Sequence, residues 1–320
     1  MAEGLCLRAG VVGVGHLGML HSAKYAAAAD VDLVAVHDLS PERARAAAAR
    51  FGCASAPSLE ALLESVDVVS VAVPAGAHLE VGARVIAARL PMLIEKPLAP
   101  SSEQARVLAA AAKRTGSIVQ VGHLERFNPV FVDVHGMIDR PRFLECHRLA
   151  PFAGRGIDTD VVFDVMIHDL DLILYLVGQR VARVEAVGVA VVSPHVDIAN
   201  ARIRFEGGCI ANVTASRVSL KRERKLRVFQ EDAYVSVDFD AGHATIARKT
   251  TDRSREGAPP DIAVEQRDFG VVDPLGAEIN EFLSCVREGR PPAVGVDAAL
   301  EALELADAVV ESLETPDAGA

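Results

Sequence analysis

The feature that most restricts this chain is an alternation in its first 122 residues: short, apolar, β-branched runs separated by helix-length stretches. One run ends at Val11 and Val12, and others cover 31–36, 66–73, 92–94 and 117–121. Helix-like segments fall at 17–28, 41–50, 59–64, 77–89 and 101–114. The apolar runs are nearly continuous and lack the period-2 alternation of a half-exposed sheet. Strands of that kind are covered on both faces, which predicts a doubly wound parallel sheet of the Rossmann type. Ser40 before Pro41 reads as a capped helix start, and Ser101 followed by Gln104 has capping-box spacing.

The first strand-to-helix turn reads Gly13-Val14-Gly15-His16-Leu17-Gly18, and Asp38 follows 20 residues after Gly18 at the end of the second strand. A lone GxGxxG is weak, but one that follows a strand, opens a helix and is trailed by an acid at this spacing predicts a dinucleotide site. Gly13 serves the tight turn, Gly15 lets a pyrophosphate approach the backbone, and Gly18 lets helix pack on strand. Phosphate then lies against the N-terminal N–H groups of the helix. Asp38 accepts ribose hydroxyls and repels a 2′-phosphate, so NAD is expected and NADP is disfavoured. Arg43 lies close enough in sequence to weaken that discrimination. A glycine turn with a solvated aspartate is the bland reading of the same residues.

Glu95-Lys96-Pro97 ends the fifth run. A lysine at the carboxyl edge of a parallel strand points into the crevice where such sheets bind ligands. In isolation it reads as an exposed strand-end lysine.

From Arg142 onward the pattern changes. Strand-like stretches at 181–192, 198–205, 209–219, 225–230, 233–239 and 243–248 follow one another through short turns, with Gly207-Gly208 as a hairpin. That predicts a mainly antiparallel open sheet, with a helix before it (160–177) and helices after it (274–288 and 297–314). The domains are expected at 1–124 and 125–320. On the early helix, at about 100 degrees per residue, Asp160, Asp164, His168 and Asp171 fall within an arc of about 80 degrees. The rest of the helix is almost wholly apolar, with Asp169 alone on the opposite side. So apolar a helix is buried, and its acidic stripe must face a polar cavity or pair internally. A solvent face that happens to be acidic is the alternative.

Composition bounds the partners. Half of the residues are hydrophobic and 24% are charged, which is a globular balance. A net charge of −11 argues against non-specific nucleic-acid binding. The sequence shows neither a membrane-length apolar stretch nor a secretory leader. Five scattered cysteines without a CxxC pair predict reduced thiols in the cytoplasm and no zinc site. No metal-ligand spacing is present elsewhere.

Gly13–Gly18, Asp38, Pro74 with His78, and Glu95-Lys96-Pro97 together resemble the glucose–fructose oxidoreductase/inositol dehydrogenase (Gfo/Idh/MocA) family. The likeness continues through Asp164-x-x-x-His168-x-x-Asp171 and ends on the helix from Glu278 to Glu288 with its GRPPAVGVDAALEAL sequel. Met166 departs from it, standing where many members carry glycine. The stretches GHLERFNPV (122–130) and DVMIHDLDL (164–172) look like members acting on nucleotide-linked amino sugars, such as UDP-N-acetylglucosamine 3-dehydrogenases. The resemblance implies an NAD-dependent oxidoreductase that moves a hydride between a secondary sugar hydroxyl and nicotinamide, taking a UDP-linked N-acetylamino sugar from the 3-hydroxyl to the 3-keto form. It places Lys96, Asp164 and His168 at the substrate.

In that reaction His168 is the expected base, because its ordinary pKa lies near neutrality; Asp164 fixes its tautomer, and Lys96 stabilises charge on the reacting oxygen. Lys96 and His168 can exchange roles. His16, Leu17, Pro74, His78 and Glu95 join the cofactor site, with His78 as readily packed as lining. Arg126, Asn128 and Asp171 are expected to contact substrate, although Pro129 also fits a plain domain junction. His123 is expected to be packed. The basic stretch from Arg217 to Arg227 reads as a charged strand edge rather than a diphosphate surface. A dehydrogenase of a free sugar or inositol, or a non-catalytic NAD sensor, remains the alternative. An open sheet face calls for a cover, so a homodimer or homotetramer is expected.

Overall fold

The computed structural model describes residues 6–152, 154, 159–250 and 261–314. The chain forms two compact units, one from residues up to Leu124 together with Leu275–Leu300, the other from Glu125–Pro274 together with residues from Glu301 on. Among the described residues no helix is long and apolar enough to cross a membrane.

The first unit holds a parallel sheet of six strands: β1 (Leu7–Val12), β2 (Val31–His37), β3 (Ala54–Ser55), β4 (Val68–Val71), β5 (Met92–Ile94) and β6 (Val119–Val121). Their spatial order is β3-β2-β1-β4-β5-β6. The order reverses between β1 and β4, where Val12 lies beside Val71, and a doubly wound sheet opens its ligand crevice at such a point. Every residue of β4, β5 and β6 is buried, so these runs needed no alternation. The covering helices are α1 (His16–Ala27), α2 (Pro41–Phe51), α3 (Leu59–Leu63), α4 (His78–Ala87) and α5 (Ser102–Thr115). Ser40, Ser58 and Ser101 cap α2, α3 and α5 by accepting the backbone N–H of Arg43, Ala61 and Gln104.

The second unit begins with α6 (Pro129–Val134), a short helix capped by Asn128, and then β7 (Phe143–Leu149). A π-helical turn (Val162–Met166) leads into α7 (Ile167–Val177). Strands β8 (Val181–Val189), β9 (Ile198–Phe205), β10 (Ile210–Ser216), β11 (Glu223–Phe229), β12 (Ala233–Asp238), β13 (His243–Lys249) and β14 (Ile262–Asp268) follow. Helix α8 (Pro274–Glu288) belongs from Leu275 on to the first unit, where its Ile279, Phe282 and Leu283 join Leu7, Tyr25 and Val31 in one core. Helix α9 (Val296–Glu311) and a two-residue β15 (Leu313–Glu314) end the described chain.

The large sheet has nine strands in the order β14-β13-β12-β11-β7-β10-β9-β8-β15. Only β7–β10 and β8–β15 pair in parallel, and the other neighbours are antiparallel. Residues alternate between buried and open along β7, β9 and β10, and the buried set packs on α7 and on Leu305, Ala306 and Val309 of α9. The opposite face carries Phe143, Phe229 and Tyr234 as a ladder of neighbouring rings.

Two expectations change here. The single α-helix over 160–177 is a π turn followed by an α-helix, with Asp160 outside it. Strands β7 and β14 lie where none was expected. In β7 the inward alternation Leu144, Cys146, Arg148 includes a charge, which hides the period; β14 is an exposed edge with almost no buried residue.

Candidate active site

The turn after β1 shows why three glycines stand where they do. Gly13 has φ of +84°, and a Cβ there would lie 2.7 Å from the Ala72 carbonyl oxygen. A Cβ at Gly18 would lie 1.7 Å from the carbonyl oxygen of Gly13, so Gly18 guards the turn itself. Gly15 is different. A Cβ on it would meet no protein atom within 4 Å. The protein does not need Gly15 bare, whereas a phosphate approaching the N-terminus of α1 does.

Gly13, Gly15, His16, Leu17, Asp38 and Pro74 line one cavity of about 580 Å³, within the range of small-molecule sites. Asp38 Oδ2 accepts the Val14 N–H at 3.0 Å, and Oδ1 accepts Ser40 N–H and Arg43 Nη2, each at 2.8 Å. Burial pushes the Asp38 pKa up, but Arg43 and the two backbone donors outweigh it and hold the carboxyl below its usual range. Arg43 and Arg84 line the same cavity. An adenosine ribose fits beside Asp38, and a pyrophosphate fits at the bare Gly15 edge.

Around the ends of β4 and β5, His78 is buried and braced between two carbonyls, with Nδ1 at 2.8 Å from Pro97 O and Nε2 at 3.0 Å from Val73 O. Burial pushes its pKa down, so the neutral ring donates to one of them. It supports the wall of the crevice and does not line the cavity. Glu95 also faces inward: Oε1 is 2.9 Å from His21 Nε2, and Oε2 accepts the Lys96 N–H at 3.3 Å. Lys96 itself is half-buried at the strand end, with a cis peptide to Pro97.

Asp164 and His168 lie in the second unit, Asp164 on the π turn and His168 one residue into α7, both half-buried. The π turn inserts extra backbone and shifts the stripe drawn at regular helical spacing. Asp160 accepts the Val196 N–H at 2.8 Å and braces a loop instead of joining His168. Asp171 is buried, 3.5 Å from Arg126 Nη1, and burial pushes its pKa up to about 7 against the pull of that arginine. Arg126 lies over the Tyr175 ring at 3.5 Å from its centroid. Asn128 accepts the Val130 N–H and donates to Glu125, so both ends of its amide serve the fold. Met166 turns its bulk into the hydrophobic core. His123 is buried.

A buried ion cluster supports this segment and left no local sign in the sequence. Arg148 of β7 grips Asp169 with Nε at 3.0 Å and Nη2 at 2.8 Å, and reaches Glu125 with Nη1 at 2.8 Å. Burial pushes the guanidinium toward neutrality, but two carboxylates hold it charged. Asp169, the residue set apart from the polar stripe, is thereby the anchor of α7. The basic stretch resolves into internal pairs: Arg217 with Asp197, Lys221 with Glu223, Arg222 and Arg224 with Asp240, Lys225 with Asp238, and Arg227 with Glu145. Among the described residues no cluster of three or more His, Cys, Asp or Glu is arranged to hold a metal ion.

Comparison with known proteins adds to this geometry. Residues 7–123 match the family described as an oxidoreductase family with an NAD-binding Rossmann fold, and residues 132–236 match the GFO/IDH/MocA C-terminal domain. The chain is 40% identical over 288 residues to a UDP-N-acetylglucosamine 3-dehydrogenase of Acidithiobacillus ferrooxidans, covering 89% of this chain and 90% of that protein. The solved structure of a UDP-N-acetylglucosamine 3-dehydrogenase from that organism superposes with a TM-score of 0.89 at 38% identity, covering 96% and 97% of the two chains. A scyllo-inositol 2-dehydrogenase (NAD(+)) of Bacillus subtilis is 27% identical over 334 residues, 96% of this chain and 94% of that one.

Proposed function

The chain belongs to the Gfo/Idh/MocA family of NAD-binding oxidoreductases, and from that premise we propose that it oxidises the 3-hydroxyl of a UDP-linked N-acetylamino sugar to the 3-keto form. The observation that carries the substrate is the 40% identity to a UDP-N-acetylglucosamine 3-dehydrogenase across nearly the whole of both chains. The scyllo-inositol 2-dehydrogenase is more distant, at 27% identity over 334 residues, which makes a free polyol the second reading.

NAD supplies the hydride acceptor when bound. The Gly13–Gly18 turn and the N-terminus of α1 would hold its pyrophosphate, and Asp38 would accept a ribose hydroxyl. His16, Leu17 and Pro74 close the cavity wall, while His78 and Glu95 support that wall from behind. Lys96 donates a hydrogen bond from Nζ to the reacting oxygen and stabilises negative charge as the hydride leaves carbon. His168 accepts the hydroxyl proton, and Asp164 stabilises the resulting imidazolium. Arg126 and Asp171 contact the substrate, and Asn128 fixes the segment that carries Arg126. Lys96 and His168 exchange roles if the amine is the neutral partner.

The open sheet face supports a homodimer or homotetramer. Val187 and Val189 of β8 and Val264 of β14 are each about half exposed or more, and the rings of Phe143, Phe229 and Tyr234 lie on the same face. Five cysteines without a disulfide support a cytoplasmic location. The experiment is Lys96→Met. Turnover is expected to fall by about 10²- to 10³-fold, the scale for loss of one group that stabilises charge in the transition state, while NAD binding measured by fluorescence titration persists. Full activity in that variant would refute the assignment.

A further inference from the structure

Behind the end of β5 the first unit buries a polar cluster that the chemistry above does not use. Helix α1 supplies His21 and Tyr25, β4 supplies Ser70, β6 supplies Gln120 and α8 supplies Glu278, all with no exposure; Glu95 is 6% exposed. Glu95 Oε1 is 2.9 Å from His21 Nε2, His21 Nδ1 is 3.1 Å from Ser70 Oγ, and that oxygen is 2.8 Å from the Tyr25 hydroxyl. Gly122 makes room for the other side: a Cβ there would lie 2.9 Å from Glu95 Oε2. The backbone carbonyl of Glu278 accepts from Gln120 Nε2 at 3.0 Å. Yet neither carboxyl oxygen of Glu278 meets a donor among the described residues.

Two carboxyl groups share this space with one imidazole. An ionised Glu278 would be a buried charge without a donor, beside a second carboxylate already committed to His21. A proton on Glu278 removes that charge and leaves Glu95 free to keep His21 and the Lys96 N–H. Burial first, and the field of Glu95 second, drive Glu278 toward this protonated form. The titratable groups around it are His21 and Tyr25 from α1 and Glu95 just after β5, and β4 and β6 present only uncharged Ser70 and Gln120. Lys24 of α1 is half-buried. Arg287 and Arg290 are held by Asp30 and by Glu281 with Glu288.

We propose that Glu278 is a positioning residue that carries a proton, keeping Glu95 paired with His21 and so fixing the backbone from which Lys96 extends. The proposal rests on Lys96 as the reactive amine. When Glu278 ionises, two carboxylates repel and compete for His21, and the Lys96 N–H loses its acceptor.

The test uses the full chain with NAD and UDP-N-acetylglucosamine, comparing wild type, Glu278→Gln and Glu278→Asp. Difference infrared spectroscopy is expected to show a protonated carboxylic C=O band in wild type that bleaches as pH rises through the alkaline limb of kcat. Glu278→Gln removes the band and moves that limb to higher pH, with KM for NAD within about twofold, whereas Glu278→Asp retains both band and limb. Because its folded pKa is raised, Glu278 contributes stability fully present below its unfolded pKa of about 4.3 and lost as pH rises through the folded value. Wild type therefore loses thermal stability relative to Glu278→Gln toward alkaline pH. A wild type without the band overturns the proposal, and so does a Glu278→Gln profile with an unmoved limb. Activity surviving Lys96→Met would remove the catalytic premise alone, because the band reports Glu278 whether or not turnover is seen.

Discussion

At the scale of single residues, the sharpest distinction lies within one turn. Gly18 is demanded by the protein, since its missing Cβ would sit 1.7 Å from a carbonyl oxygen, while Gly15 faces open space. Gly15 also has φ of −71° and ψ of −158°, which any residue adopts. Gly15→Val should therefore cost only about 1 kcal/mol of stability, the loss expected for a poorer helix cap, and weaken NAD binding by tenfold or more, about 1.4 kcal/mol. Gly18→Ala should destabilise the unit by about 3 kcal/mol or abolish folding. Denaturant melts and NAD titrations on the two variants check both halves, and equal behaviour of the pair would contradict the steric account. These residues were readable beforehand because the motif is local: turn, helix start and acid lie within 26 residues of chain. Glu278 and Arg148 were not, because each takes its meaning from a partner supplied by a distant element.

At the scale of elements, the parallel sheet was legible because buried strands and capped helices write themselves into short windows. The second unit was less so. Strand β7 carries Arg148 inward, and that charge erases the alternation a reader looks for. Asp169, alone on the side of the helix opposite the acidic stripe, is one of the two carboxylates that hold Arg148. The π turn at Val162–Met166 is invisible to a fixed 100-degree step, so regular spacing groups Asp160 with His168 although Asp160 lies outside the turn. Arg148→Met should cost about 3–5 kcal/mol by leaving Glu125 and Asp169 buried without their cation. Equilibrium urea unfolding measures it, and a loss below about 1 kcal/mol would show that the cluster relaxes with water. Burial of an ion pair is weak evidence for net stability, so the triple replacement of all three by apolar residues is not expected to be as harmful.

At the scale of the whole molecule, the nine-stranded sheet commits one face to α7 and α9 and leaves the other with rings and valines in the open. Patches of this sort on a monomer mark an interaction surface. Light scattering is expected to give a dimer or tetramer mass, and Val187→Asp should shift it toward the monomer; a monomeric wild type would remove that part of the reading. The family, the bare Gly15 edge and the Asp38–Arg43 pair converge on NAD as the cofactor, and the 40% identity to a UDP-N-acetylglucosamine 3-dehydrogenase supports the proposed nucleotide-linked sugar. The most direct measurement is NADH formation by the purified protein supplied with NAD and either UDP-N-acetylglucosamine or free sugars and inositols, with the product identified by mass spectrometry. The account predicts NADH in step with a 3-keto UDP-sugar and little from the free compounds. NADH formed from an inositol or free sugar, with none from the UDP-sugar, would contradict it.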